Sequence, residues 1–325
     1  VIGDGGWGTT LAIILHKKGY KIKLWSAFKD YAGLLDKRRI NTKFLSGVKI
    51  PKGILITDSL KEAVLDADLI ILAVPSQYLR NVLIKLRIYN EPGKIFLSVV
   101  KGIETSTLKR MSEVVFDVLG KVKLAVLSGP TIAYEVARYV PTTAVVASKD
   151  IKLAKEIQDI LITDRFRVYT NSDVIGVELG GSLKNIIAIA CGISDGLRFG
   201  TNTKAAILSR GLAEITRLGV VLGAEAKTFS GISGLGDLVT TCISPFSRNR
   251  YVGEQIGRGR KLKDILKDTE MVAEGVPTAK SAYFLSRKHK VDMPIIKEIY
   301  LVLYKNKTPI RAVDDLMLRR RKSEF

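Results

Sequence analysis

The stretch from Gly3 to Gly8 reads GDGGWG and decides the fold of the first half of the chain. It matches the G-x-G-x-x-G fingerprint, whose glycines permit a tight turn, close approach of the backbone to a pyrophosphate and close helix–strand packing. A short strand remnant precedes it, and a helical segment that ends at Gly19 follows it. This context predicts a dinucleotide site at Gly3, Gly5 and Gly8, with the phosphates at the N-terminus of the helix. The alternative is a glycine-rich turn that binds nothing.

Beyond this motif, the first half of the chain alternates short β-branched runs with amphipathic helical patterns, which is typical of parallel βαβ units. Most of the strands are apolar throughout, as expected when helices cover both faces of a sheet. The candidate strands are Val1–Ile2, Lys21–Trp25, Leu69–Val74, Ile95–Val99, Leu124–Leu127 and Thr143–Ala147. The candidate helices are Thr9–Lys18, Leu108–Leu119 and Ile151–Leu161.

The pattern changes after about Thr170. From Val174 onward the chain shows long helical periodicities and almost no strand signal. Pro277, Pro294 and Pro309 each precede an apolar-periodic run, a position where proline suits the start of a helix. We therefore predict an α/β Rossmann domain with a doubly wound parallel sheet over residues 1–170, followed by an all-α domain over residues 171–325.

The charge composition bears on the class of molecule that the protein binds. The chain has 52 Lys and Arg against 32 Asp and Glu, a net charge of +20. These charges are scattered, with one dense run at Arg319–Lys322, and no nucleic-acid-binding motif accompanies them. A basic proteome or anionic small-molecule ligands explain the excess better than nucleic acid does.

The sequence also bears on the compartment. The apolar runs are shorter than a membrane span needs, and no signal segment opens the chain. Cys191 and Cys242 lack the spacing of a metal or CxxC site. We expect a cytoplasmic protein with reduced cysteines and no metal. Because the chain begins at Val1 rather than Met, we also expect a few residues to precede it.

The end of the second predicted strand leaves the cofactor preference open. NAD-dependent enzymes usually carry an acid there to bind the ribose 2′-hydroxyl. This chain continues from Trp25 through Ser26 and Ala27 with no acid directly after the strand. Lys29 offers a charge for a 2′-phosphate, although a loop lysine is usually only solvated. Both NADH and NADPH stay open.

Hydride transfer to a ketone requires a group that donates a proton to the developing alkoxide. The two histidines are poor candidates, because His16 lies at the basic end of the first helix and His289 in a charged run. Lys184 is the strongest candidate. Its helical neighbours are small, which leaves a hollow for a ligand or another backbone, although a solvated lysine beside packing glycines is an equal alternative. These neighbours are Gly180, Gly181, Ala188 and Cys191.

Further polar groups follow predicted strands or loops. Lys101 and the segment Ser128–Thr131 each follow a strand, where ligands of such folds bind. Asp237 follows the glycine-rich loop 231–236 and offers a carboxylate that a nearby lysine needs for orientation.

A last motif, Ser247–Arg250, precedes a helical segment that we place from Tyr251. Ser247 suits a helix cap, and Arg248 suits a bidentate grip on a phosphate. The alternative is a plain cap beside solvated arginines.

Taken in order, these segments resemble the NAD(P)-dependent glycerol-3-phosphate dehydrogenase family, and the likeness extends to about Lys305. They are Gly3–Gly8, Lys101–Glu104, Ser128–Thr131, Gly176–Asp195, Asn202–Gly219, Gly231–Cys242 and Ser247–Arg250. The resemblance implies a Rossmann domain, an all-helical domain and an active site in the cleft between them. It also implies NAD- or NADP-dependent, reversible reduction of dihydroxyacetone phosphate to sn-glycerol 3-phosphate, the precursor of phospholipids.

The resemblance further implies roles for individual residues. Lys184 would be the general acid/base, and Lys101 and Asp237 would complete the catalytic group. The substrate would contact Lys101, Gly129, Thr131, Lys184, Asp237, Ser247, Arg248 and Asn249. The cofactor would contact Gly3, Gly5, Gly6, Trp7, Gly8, Lys101, Ala133, Arg248, Val272 and Glu274.

The sequence departs from the family pattern in three places. Ala27 stands where the family usually has a basic residue, which weakens the expectation of a strong grip on NADPH. Gly6 replaces a commoner serine, a mild change because backbone amides carry the phosphate contact. Residues missing before Val1 would shorten the central strand and lower its stability.

Two alternative functions differ from this reading. A hydroxy-acid or ketopantoate dehydrogenase would share the fold, but the Ser247–Asn249 phosphate motif argues against it. A catalytically silent NAD(P)-sensing or nucleic-acid-binding protein would not need Lys101, Lys184 and Asp237. The sequence leaves a monomer and a homodimer open, although a symmetric dimer is the common state of soluble enzymes.

Overall fold

A computed structural model describes residues 1–269, 272–321 and 323–324; Lys322, in the predicted basic run, lies outside the described residues. The first half holds seven short strands and the helices between them. The strands are β1 (Lys23–Trp25), β2 (Leu55–Thr57), β3 (Leu69–Leu72), β4 (Ile95–Ser98), β5 (Lys123–Ser128), β6 (Thr142–Ala147) and β7 (Phe166–Asn171). The helices are α1 (Gly6–Lys17), α2 (Lys29–Arg38), α3 (Leu60–Val64), α4 (Leu79–Leu86), α5 (Met111–Leu119), α6 (Ala133–Ala137) and α7 (Ile151–Leu161).

The strand remnant at the start of the chain lies in the middle of the sheet. Ile2 forms parallel bridges to both Trp25 and Leu72, so it joins the pair β1–β2 to the run β3-β4-β5-β6-β7. Its amide donates to the carbonyl of Ile71 at 2.7 Å, and its own carbonyl accepts from Ala73 at 2.8 Å. This position delivers the glycine motif directly to the carboxyl edge of the sheet.

The sheet is parallel except for one pair, which the parallel prediction missed. Strands β5 and β6 run antiparallel, with Val126 opposite Ala147. The connection at residues 129–141 contains only the five-residue helix α6, which is too short for a crossover across the sheet. The chain therefore turns back along the edge where β5 ends.

Two strands and several helix starts were also missed. Strand β2 has three residues, and β7 alternates buried and exposed positions at the sheet edge, so neither is a continuous apolar run. Helix α1 begins at Gly6, earlier than expected, and α5 begins at Met111, later than expected. Helix α7 has the predicted bounds, and Gly19 has the positive φ of +93° that suits the residue after a helix.

From Val174 onward the described residues form helices, as predicted. They are α8 (Val174–Gly196), α9 (Thr201–Val221), α10 (Ala226–Phe229), α11 (Asp237–Ile243), α12 (Arg248–Gly257), α13 (Leu262–Lys267), α14 (Gly275–Lys288), α15 (Pro294–Tyr304) and α16 (Pro309–Met317). A single π-helical turn at Ile232–Gly236 leads into α11. Pro294 and Pro309 are first residues of helices, and Pro277 lies in the first turn of α14, which confirms these three predicted starts.

Helix α8 is the core of the second half. It is the one helix among the described residues that is long and apolar enough to cross a membrane, but 89% of that apolar window is buried inside the fold. Glycines on α8 and α12 bring the two backbones into contact. A Cβ on Gly192 would overlap the carbonyl of Arg250, and one on Gly253 would overlap that of Ile189. The burial of α8 therefore depends on the absence of side chains along this seam.

This seam generates a stability prediction. Gly192→Ala should lower the free energy of unfolding by about 1–3 kcal/mol, because the added methyl overlaps helix backbone that has no flexible side chain to move aside. Gly33→Ala is the matched control. Gly33 lies in the exposed helix α2, and a Cβ there would meet nothing within 4 Å. The Gly33→Ala substitution should therefore raise the free energy of unfolding by about 0.5–1 kcal/mol. Urea unfolding measures the free energy of unfolding of both variants. An unchanged value for Gly192→Ala would show that the close contact of α8 and α12 is not required for stability.

Candidate functional site

The glycine motif contains both packed and open positions. Gly3 has a φ of +119°, and a Cβ there would lie 2.7 Å from the carbonyl oxygen of Ala73. A Cβ on Gly8 would overlap the carbonyl oxygen of Gly3. A Cβ on Gly5, by contrast, would meet nothing within 4 Å. Gly5 is also the N-cap of α1 and brings no side-chain hydrogen bond, so the first amides of α1 border open space.

Three further predicted cofactor residues lie around the start of α1. A Cβ on Gly6 would lie 2.6 Å from the carbonyl oxygen of Phe44, so this chain leaves no room there for the family's commoner serine without a shift. The ring of Trp7 meets Phe166 edge-on at 6.2 Å. The buried indole Nε1 of Trp7 has no hydrogen-bond partner within the part of the chain that is described. Ala133 begins α6, and its carbonyl accepts a 3.1 Å bond from Thr10.

The three residues that we predict to be catalytic form one buried cluster. Asp237 begins α11 and is 1% exposed. One carboxylate oxygen of Asp237 accepts from Lys184 Nζ, and the other accepts from Lys101 Nζ at 2.8 Å. Lys101 also donates to the carbonyl of Gly129 at 2.8 Å and to Thr131 Oγ1 at 3.3 Å. Five residues assigned to substrate binding thus lie together at the carboxyl edge of β4 and β5.

Small residues on α8 allow this cluster to form. A Cβ on Gly180 would lie 2.6 Å from the carbonyl oxygen of Ser233, in the turn before Asp237. A Cβ on Gly181 would overlap Ser128 Oγ at the end of β5. The hollow beside Lys184 is therefore occupied by other segments of the chain, and their close approach places Asp237 within bonding distance.

Burial dominates the electrostatics of Lys184. The side chain is 6% exposed. Desolvation lowers the pKa of Lys184 from its usual 10.5 to about 8; repulsion by Lys101 adds to the shift, and attraction by Asp237 opposes it. An ammonium group with this pKa gains and loses a proton close to neutral pH, as an acid/base group must.

The segment after α11 contains the predicted phosphate residues, in different surroundings. Ser247 is the N-cap of α12, and its Oγ accepts from the amide of Arg250 at 3.3 Å, as predicted, although the helix begins at Arg248 rather than Tyr251. The exposed Arg248 makes no hydrogen bond or ion pair with any described residue. The Asn249 amide donates to Asn185 Oδ1 at 2.9 Å and accepts from the amide of Gly275 at 2.8 Å.

The last two predicted cofactor residues also differ in environment. Glu274 is partly buried and accepts from the amide and the hydroxyl of Ser76, at 2.8 Å and 2.5 Å. Desolvation raises the pKa of the Glu274 carboxyl, and the bonds from Ser76 oppose the shift. Val272 is 50% exposed. The Glu274–Ser76 contact joins α14 to the carboxyl edge of β3, so it connects the two halves of the chain.

Sequence reasoning missed three polar residues of this region. Thr241 accepts from Lys184 Nζ at 2.5 Å and donates to the carbonyl of Asp237 at 2.7 Å. Its spacing of one helical turn after Asp237 is the signal that would have found it. Asn185 donates to the carbonyl of Lys101 at 3.4 Å, and Ser76 follows β3 at the edge where ligands bind.

The remaining candidates lie elsewhere. The His16 ring packs beside Gly53, and His289 is the C-cap of α14. Within the described ranges no group of three or more His, Cys, Asp and Glu residues is arranged to hold a metal.

Family comparisons cover almost the whole chain. The family model described as the NAD-dependent glycerol-3-phosphate dehydrogenase N-terminus matches residues 1–154, and that of the C-terminus matches residues 173–314. The glycerol-3-phosphate dehydrogenase (NAD(P)+) of Thermoanaerobacter sp. (strain X514) is 51% identical over 325 residues, which are 100% of this chain and 98% of that protein. The enzyme of the same name from Chlorobium limicola is 49% identical over 327 residues, with 100% of this chain and 98% of that protein covered.

Solved structures agree with these matches. The crystal structure of glycerol-3-phosphate dehydrogenase from Coxiella burnetii is 37% identical, with a TM-score of 0.95 over 98% of each chain. A ketopantoate reductase from Ralstonia eutropha is 12% identical, with a TM-score of 0.61 over 96% of this chain and 98% of that one. The second likeness shows a shared fold alone.

The two kinds of glycine in the motif give a testable contrast. Gly5→Asp should leave stability unchanged, because aspartate suits an N-cap and the site is open. It should weaken NADH binding at least about 10-fold, because bonds from amides to a charged phosphate are worth roughly 1.5–3 kcal/mol. Gly8→Ala should instead destabilise the protein. Thermal unfolding and direct NADH titration separate the effect on stability from the effect on binding. Wild-type NADH affinity in Gly5→Asp would show that the dinucleotide does not bind at this loop.

Proposed function

The chain belongs to the NAD-dependent glycerol-3-phosphate dehydrogenase family, and we propose that it transfers a hydride reversibly between NAD(P)H and dihydroxyacetone phosphate, giving sn-glycerol 3-phosphate. The observation that carries the proposal is the buried Lys184–Asp237–Lys101 cluster at the carboxyl edge of a sheet whose glycine motif opens beside it. This arrangement combines a titratable ammonium group with room for a dinucleotide. The product would supply the backbone of glycerophospholipids.

The residues around α1 fit a dinucleotide. The open space at Gly5 and the uncapped amides of α1 suit the pyrophosphate. The unsatisfied Nε1 of Trp7 is a buried donor that a bound group would satisfy. A dinucleotide held by these residues would supply or accept the hydride.

Lys184 supplies the proton. Its Nζ is held by Asp237 and Thr241, so the ammonium has a fixed direction and one remaining proton to donate to the ketone oxygen. In the reverse direction the neutral amine removes that proton from the alcohol. Lys101, whose Nζ is bonded to Asp237, Gly129 and Thr131, contributes positive charge where the alkoxide develops.

Arg248 holds the phosphate of the substrate. It is exposed and uncommitted among the described residues, at the first position of a helix whose amides favour an anion. Asn249 stays a predicted substrate contact, and its amide is bonded at both ends to Asn185 and Gly275. We propose that Asn249 positions Asn185 and, through it, the backbone of Lys101.

The proposal extends to organisation and location. We propose that residues 1–170 hold the cofactor and residues 171–325 complete the substrate site, supported by the change from β7 to α8 between Asn171 and Val174. A cytoplasmic location is supported by Cys191 and Cys242, which are free thiols. A homodimer stays a prediction.

The phosphate assignment leads to a kinetic prediction. The enzyme should oxidise NADH or NADPH rapidly with dihydroxyacetone phosphate and slowly with dihydroxyacetone. Arg248→Ala should lower kcat/KM for the phosphorylated ketone about 10- to 100-fold, because a charge-assisted phosphate contact is lost. It should leave the slow reaction of dihydroxyacetone unchanged.

The matched control is Arg258→Ala, at the C-cap of the same helix, where the exposed arginine pairs with Glu254 and with no other described residue. Its kinetics should match the wild type. Equal losses with both ketones in Arg248→Ala would show that Arg248 does not bind the phosphate, and no turnover by folded, cofactor-binding protein would overturn the proposed substrate.

The pKa of Lys184 predicts opposite pH profiles in the two directions. Ketone reduction requires the ammonium form, so its rate should fall as pH rises through about 8; alcohol oxidation requires the amine, so its rate should rise there. Asp237→Asn removes the attraction that raises this pKa, so both limbs should move to lower pH. Lys184→Ala should lose turnover and keep NADH affinity. Near-normal turnover in Lys184→Ala would contradict the role of Lys184 as the acid/base group. So would pH profiles of Asp237→Asn that match those of the wild type.

A further inference from the structure

Strand β1, which follows the strand remnant Val1–Ile2, is the second strand of the Rossmann unit and lacks the acid that usually binds the ribose. The glycine motif brings a carboxylate to the same place. Ser26 is the first residue after β1 and is fully buried. Its hydroxyl donates a 2.7 Å hydrogen bond to Oδ2 of Asp4, which lies between Gly3 and Gly5. The carboxylate therefore stands where the ends of the first two strands of the Rossmann unit meet.

The backbone of Asp4 is held firmly. Its carbonyl accepts from Asn41 Nδ2 at 2.6 Å and from Thr9 Oγ1 at 3.1 Å. Asn41 is itself fully buried, and its Oδ1 accepts from the Tyr31 hydroxyl at 2.7 Å and from the Phe44 amide at 3.0 Å. The carboxylate thus has a fixed origin and a fixed partner, which a solvated loop side chain lacks.

This placement has a consequence for cofactor choice. In dinucleotide-binding folds, a carboxylate at the end of the second strand accepts hydrogen bonds from the ribose hydroxyls, whereas NADPH carries a phosphate at the 2′ position. Such a phosphate has a charge of about −1.5 to −2 at neutral pH and is repelled by a carboxylate. We propose that Asp4, held by Ser26, takes the place of the missing acid and makes the protein select NADH over NADPH. This inference rests on the proposed function only in requiring that the glycine motif bind a dinucleotide.

Two lysines act in the opposite sense. Lys29 is exposed at the start of α2, and the charge of Lys43 acts on the Asp4 carboxylate. The Lys29 side chain is solvated, so its attraction for a 2′-phosphate is screened. Lys43 lies over the Tyr31 ring, 5.3 Å from its centroid. The Asp4 carboxylate, by contrast, is bonded directly to Ser26 at the end of β1, so its charge is fixed at that place.

Direct titration of NADH and of NADPH, without a ketone, tests the inference. The wild-type protein should bind NADH at least about 10-fold more tightly than NADPH, the scale of one charge-assisted hydrogen bond. Asp4→Asn keeps the size of the side chain and an acceptor for Ser26, so the protein should unfold at the wild-type temperature. This variant should lose most of the discrimination, chiefly by binding NADPH more tightly. Steady-state kinetics should show the change in the KM for each cofactor and not in kcat.

Ser26→Ala and Asp30→Asn complete the design. Ser26→Ala removes the partner that fixes the carboxylate, so it should reduce the discrimination by less than Asp4→Asn does. Asp30→Asn removes the same charge from the exposed first turn of α2 and should leave the ratio unchanged.

Three results would overturn the inference: a wild-type preference for NADPH, an unchanged ratio in Asp4→Asn, or a ratio that collapses in Asp30→Asn. The proposed substrate is tested separately. Tight, selective NADH binding without turnover of dihydroxyacetone phosphate would overturn the proposed substrate and leave the role of Asp4 intact. Folded protein that binds neither nucleotide would overturn the dinucleotide site and, with it, the inference.

Discussion

One buried carboxylate, that of Asp237, holds two lysines that come from opposite halves of the chain. Removing a carboxylate and an ammonium group from water is expensive, and their attraction offsets the cost only when the geometry is tight and the remaining bonding groups are satisfied. Here Gly129 and Thr131 satisfy the other two protons of Lys101, and Thr241 accepts one further proton of Lys184. The cluster can therefore exist only where the edge of the sheet and α8 lie in close contact, and it fixes α8 and α11 relative to the ends of β4 and β5.

Glycine supplies that closeness. Along α8, Gly180 and Gly181 admit the turn before α11 and the end of β5, while Gly192 admits the backbone of α12. The same helix thus places Lys184 against Asp237 on one stretch and anchors α12, with Arg248 at its start, on another. The proposed catalytic and phosphate-binding residues are therefore fixed relative to each other, because both are positioned by one helix that has glycines at its close contacts.

Much of this was accessible from the sequence, because the signals are local. The glycine motif, the prolines at helix starts and the lysine after β4 each carry their meaning within a few residues. The apolar run of β6 predicts the strand, but its antiparallel direction depends on the short connection before it. The partly exposed β7 lies at a sheet edge and so does not show as an apolar run. The hydrogen bonds of Asn249 with Asn185 and Gly275 join residues that are far apart in the sequence, so no spacing rule predicts them. The chemical roles of the site residues stay predictions that rest on this geometry and on the family.

The exclusion of water links the chemistry to the grip on the substrate. The burial that lowers the pKa of Lys184 also means that a ketone must leave water before it can meet the ammonium. A small neutral ketone makes few interactions that could offset that desolvation, whereas the proposed contact of Arg248 with a phosphate adds charge-assisted hydrogen bonds away from the reacting carbon. An exposed Arg248 with no side-chain partner among the described residues, and a buried Lys184 with one proton left to donate, are the distribution of polarity that such a division requires. On the proposed function, most of the binding energy comes from the phosphate, which is remote from the reacting carbon, and orients the ketone in a site that excludes water.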